Sequence, residues 1–166
     1  MHISKIFGAG VLLAIGTAAA LAQHNHHYDM SKPGAGQHQA APSPDSRQFV
    51  QFPAAMVEHT LANMRDHLAA LQEIQDHLGM GHTDVAARIA EERLGMSSLG
   101  SHGAHEVAKF MPQGMQDAGT GMHRAASRFA IVARDAGVTG DMKPVFSALA
   151  AVTGQCVGCH AGYRIK

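Results

Sequence analysis

The chain has 166 residues, and its 13 basic side chains are matched by 13 acidic ones, so its formal net charge is zero. That balance excludes the broad basic face on which nucleic-acid binding depends, and the length suffices for one domain with its own core. The two cysteines, Cys156 and Cys159, are too close in sequence to staple distant parts of a fold, which excludes a disulfide framework.

The N-terminus reads as an export signal. Lys5 gives the positive start, an apolar run covers residues 6–21, and Ala20-Leu21-Ala22 is a small-x-small cleavage site. Cleavage after Ala22 and delivery to the periplasm are expected. The alternative is an uncleaved anchor, for which the run is short and interrupted by Gly8, Gly10 and Gly16. Residues 23–50 read as a disordered linker, with Pro33, Pro42, Pro44, Gly34 and Gly36 and no apolar period. His24, His26, His27 and His38 lie in it, as copper or zinc ligands or as incidental residues of a solvated spacer.

The chain as a whole is rich in alanine and leucine, lacks Trp and has only 5% aromatic residues, a composition that favours helices. A first helix is predicted from near Pro53, with Val57, Leu61, Met64, Leu68, Leu71, Ile74 and Leu78 on one face, closed by Gly79 and Gly81. A second opens at His82 or Thr83, runs through Val85, Ile89 and Leu94, and stops near Gly95. Residues 95–112 are irregular, with a short helix around 105–111. A third helix spans about 112–136 with Met115, Ala118, Met122, Ala126, Phe129 and Val132 inward, and Gly137 closes it. A fourth begins near Thr139 or Asp141 and carries Met142, Val145, Phe146, Leu149, Val152, Cys156, Cys159 and Tyr163 on one stripe. No strand-like alternation or internal repeat is present. The expected fold is all-α, an antiparallel four-helix bundle over residues 51–166.

Residues 156–160 spell Cys-Val-Gly-Cys-His, a CxxCH motif. Two thiols at this spacing add across the two vinyl groups of a haem, and the adjacent histidine then lies under the iron as an axial ligand. Positions 156, 159 and 160 share one helical face, and that face is the core stripe of the last helix. The expectation is one haem c, held by thioethers to Cys156 and Cys159 with His160 as proximal iron ligand. A thioredoxin-like redox pair would accompany a βαβ pattern, and a zinc site would need two further ordered ligands.

The motif continues through Ala161 and Gly162 to Tyr163-Arg164, so the C-terminus resembles the CxxCHxxYR signature of the cytochrome c′ family. The resemblance extends loosely over residues 52–166, including the Gly-His-Thr-Asp-Val-Ala-Ala turn into the second helix; residues 95–112 depart from it. It implies an exported four-helix-bundle cytochrome, often dimeric, with Arg164 near the proximal histidine and a distal residue about three turns into the first helix. In low-spin members that residue is Met, and Met64-Arg65-Asp66-His67 is similar to their local string.

An antiparallel first and last helix also bring the early part of the first helix to the haem. Met64 lies on the apolar stripe, eleven residues after Pro53 or about 16 Å along a helix. It is the expected distal ligand, with core packing as the plain alternative. Met56, about 80° away around the helix, is the runner-up. Leu61 over an open iron is a third arrangement, and a bis-His iron a fourth, although His59 and His67 read as surface residues. Tyr163, Arg164 and Arg65 are candidates for the haem periphery, Arg65 through a propionate; for the arginines a solvated helix charge is the alternative. The expected function is one-electron transfer with an unknown redox partner. Gas binding at a five-coordinate haem and metal binding through the His-rich tail are the other readings. No hydrolase or transferase constellation is present, and Glu91 and Glu92 read as solvated charge.

Overall fold

The structure is a computed structural model that describes residues 44–165. The expected export signal and the tail histidines fall outside the described residues. The described chain is all-α apart from two three-residue strands: β1 (Gln48–Val50), α1 (Ala54–Gly79), α2 (Thr83–Arg93), a 3-10 turn (Met96–Ser98), α3 (Ala104–Ala108), α4 (Gln113–Thr139), α5 (Lys143–Gly162) and β2 (Tyr163–Ile165).

The strands correct the sequence reading. Residues 48–50 were expected as the end of a disordered linker, yet β1 pairs in parallel with β2, Gln48 opposite Tyr163 and Val50 opposite Ile165. Parallel neighbours need a long crossover, and here all the helices supply it. Three residues are too few to show alternation, so pairing at this range leaves no local trace. The pair fastens the two ends of the folded chain together, directly after the CxxCH residues.

The helix starts and stops follow the expected signals, with two shifts. Pro53 precedes α1, and Asp84 lies in the first turn of α2, where the helix dipole favours a carboxylate. α4 runs through Gly137 and ends at Gly140, which takes the left-handed conformation at φ 73°. Gly137 has a packing reason: a Cβ there would lie 2.8 Å from Thr83 Oγ1, so the glycine admits the start of α2. α5 accordingly begins at Lys143.

α4 packs against α2 on one side and α5 on the other, and α1 packs against α2. The contacts are narrow because alanine supplies them: Ala86, Ala87 and Ala90 of α2 face Ala126, Ala130 and Ala133 of α4, all at most 1% exposed. Ile74, Phe129, Val145 and Val152 fill the space between. Phe129 is fully buried and the largest of these side chains. Phe129→Ala should cost about 3–5 kcal/mol, read as a lower midpoint in urea with an unchanged slope.

Two expected apolar stripes are rotated in part. Leu68 is 70% exposed and Phe146 58% exposed, while Thr60 and Ala70 are buried. In its N-terminal half α1 turns Thr60, Asn63, Met64 and His67 toward a cavity. Spacing alone cannot distinguish such a face from a neighbouring leucine face. Among the described residues, α5 is the one helix long and apolar enough to cross a membrane, by length and composition alone. Val145 and Val152 are buried among the core residues; its last turns line the same cavity.

Candidate functional site

The cavity lies between α1, α4, α5 and the connection from α2 to α4. It is open to solvent on one side, and the space within it, open mouth included, is about 890 Å³. Cys156, Cys159 and His160 line it from α5, and Met64 lines it from α1. The i, i+3, i+4 spacing of the α5 residues turns all three to one side. Leu99, Val107, Met111 and Met122 make the rest of the wall largely apolar.

Both thiols are half-buried and unbridged. Burial pushes both up from the usual thiol range, and Cys156 adds to the rise at Cys159. Reactive redox pairs need a lowered pKa, so this pair is not built as a thiolate nucleophile. On α1, the Thr60 hydroxyl is buried without a hydrogen-bond partner although it lines the cavity. An orphaned hydroxyl costs about 1–3 kcal/mol unless something meets it.

The other distal candidates lie elsewhere. Met56 does not line the cavity; it packs in a second apolar cluster with Val50, Phe52, Val107 and Met115, against which Cys159 also packs. Leu61 and Arg65 are exposed and line no part of the cavity. Tyr163 joins the second cluster, with its hydroxyl against Gly114. Arg164 is exposed, pairs with Asp45 at 3.4 Å and stacks over the Phe49 ring at 5.2 Å. The structure therefore gathers Cys156, Cys159, His160 and Met64 around one space, and sets Tyr163, Arg164 and Arg65 outside its lining.

A polar group at one end of the cavity has no counterpart in the sequence reading. His67, expected on the surface, is in the cavity wall beside His102 and His123. His59, also expected on the surface, hydrogen-bonds through Nε2 to the His102 carbonyl at 2.8 Å. Asn63 donates to the same carbonyl at 2.9 Å. His123 donates from Nδ1 to the Leu94 carbonyl at 2.7 Å. These bonds tie the irregular connection to α1 and α4 across the cavity. His102 lies in a stretch without periodicity, so only the folded chain brings it here. His123 had one signal, its place beside Met122 on the inward edge of α4. Glu91, expected as solvated, accepts from the Ser97 backbone N–H at 3.3 Å.

Burial pushes His67 down to about 4, aided by repulsion from His102 and His123, against a partial pull from Asp66. His102 is lowered for the same first reason. His67 is thus neutral in the folded chain at pH 6, where the unfolded chain has begun to take up its proton. The unfolded state binds more protons between the two values, so stability falls as pH drops from about 6.5 toward 4. The expected loss is about 2–3 kcal/mol, measured by urea unfolding of the metal-free chain, and His67→Gln should flatten that slope.

No protein-family model, curated protein or solved structure matches the chain.

Proposed function

We propose that the chain is an exported mono-haem c-type cytochrome that transfers single electrons. On this reading its described helices form the antiparallel four-helix bundle of the cytochrome c′ family. The observation that carries the reading is that both thiols and the imidazole of the CxxCH motif line one largely apolar cavity that Met64 lines as well. The cavity fits a haem by its chemistry: two half-buried thiols with no partner, an apolar lining, and an orphaned hydroxyl at Thr60.

Cys156 and Cys159 would hold the group by thioethers, and His160 and Met64 would ligate its iron. A haem so held supplies one reversible electron at its iron. His160 lies on α5 and Met64 on α1, so gain or loss of the electron would require little rearrangement of either side chain. A methionine sulfur on the iron would favour the reduced state and raise the potential. Met111, Met122 and Val107 supply apolar lining, and the α2–α4 connection, tied by His59, Asn63 and His123, adds Leu99 and His102 to the same wall.

A reduced-minus-oxidised visible spectrum tests the reading. The expected result is a sharp low-spin band that carbon monoxide leaves unchanged over minutes. A high-spin spectrum that shifts at once with carbon monoxide would favour a gas-binding haem instead.

A further inference from the structure

We propose that His67, His102 and His123 form a second metal site, for a borderline divalent cation such as zinc(II) or copper(II), next to the haem cavity. The distances carry the proposal. His67 Nε2 and His102 Nδ1 are 3.4 Å apart. That is long for a hydrogen bond, which falls at about 2.7–3.2 Å. It equals the roughly 3.4 Å edge of a tetrahedron drawn with zinc–nitrogen bonds of about 2.0–2.1 Å. Three imidazoles on one such ion have ring centres roughly 5 Å apart. Here the three centroid distances are 4.6, 5.9 and 5.7 Å.

The chemistry of the rings agrees. A histidine that binds metal through one nitrogen characteristically donates its other N–H to a backbone carbonyl, which fixes the tautomer. His123 does this through Nδ1 to Leu94, so its Nε2 lone pair is left for a ligand. Metal binding needs neutral imidazole, and burial favours that form at His67 and His102. Three imidazole donors would leave a fourth position open, and imidazole suits zinc and copper. Among the described residues no group of three or more His, Cys, Asp or Glu side chains is already placed to hold a metal ion. The His67–His102 pair has the spacing for one, and the cation would draw His123 Nε2 toward that pair with its Nδ1 bond to Leu94 kept. The three ligands come from α1, the connection and α4, so the ion would lock the connection in place.

The test is calorimetric titration of the metal-stripped, full-length haem protein with zinc(II), in a background where His24, His26, His27 and His38 are alanine. The expected result is one equivalent bound, weakened roughly 100-fold or more by His67→Ala or His123→Ala. His105→Ala, on the exposed side of α3, should bind as the parent does. His123→Ala also frees the Leu94 carbonyl, so His67→Ala, with its fold checked by circular dichroism, decides the case. Absence of a stoichiometric site, or zinc binding unchanged in His67→Ala, overturns the proposal. Conversion of the haem to high spin by His67→Ala also overturns it, because that ring would then belong to the haem iron. A chain without haem would sink the cytochrome reading while leaving the zinc titration readable.

Discussion

A Cys156→Ala, Cys159→Ala double variant, exported in a host that attaches haem c, should retain no haem after denaturation. The parent should retain one per chain. Each thioether consumes one thiol and one vinyl group, and the chain has no third cysteine to substitute. The single variants should each keep a single link. The effect extends to stability. The two thiols and His160 line a largely apolar cavity, and the covalently held haem would be buried there, its iron ligated, only in the folded chain. The double variant should therefore melt well below the parent. Haem-stained denaturing gels and thermal unfolding by circular dichroism read both consequences. Haem that survives denaturation in the double variant would show that these thiols are not its attachment.

Met64→Ala should convert the iron from low spin to high spin and open it to carbon monoxide. Met64 lines the same cavity as the CxxCH residues, and an alanine side chain is too short and has no sulfur to ligate a metal there. The position should then be vacant or held by water. Loss of the sulfur ligand should also lower the midpoint potential, since the thioether stabilises reduced iron. Met56→Ala is the control. Met56 packs with Val50, Phe52 and Met115 outside the cavity lining, so its truncation should lower stability and leave the spectrum unchanged. If Met56→Ala alone produces high spin, Met64 is not the ligand. If both variants stay low spin and His67→Ala does not, His67 is the ligand.

Residue spacing carried much of this arrangement. The intervals from Cys156 to His160 place the motif on one side of α5, and the structure finds that side lining a cavity with Met64 in its wall. Glycine and proline located the helix ends to within a few residues, because backbone chemistry acts locally. Gly137 misled because its role is an approach between α2 and α4 rather than a helix end. The stripe of α1 misled for a related reason. Leu61 and Leu68 are as regular in spacing as Ile74 and Leu78, but nothing packs on them, while Thr60 and His67 face the cavity. The β1–β2 pair and the three-histidine group were beyond local reading. Each joins residues far apart in the chain, and His102 reaches its place through a connection without periodicity.

Intact mass spectrometry of the exported chain under denaturing conditions tests the central claim most directly. The expected mass is that of a polypeptide beginning at Gln23 plus one haem, with no free thiol left to alkylate. A mass equal to the polypeptide alone, with both cysteines alkylated, would contradict it.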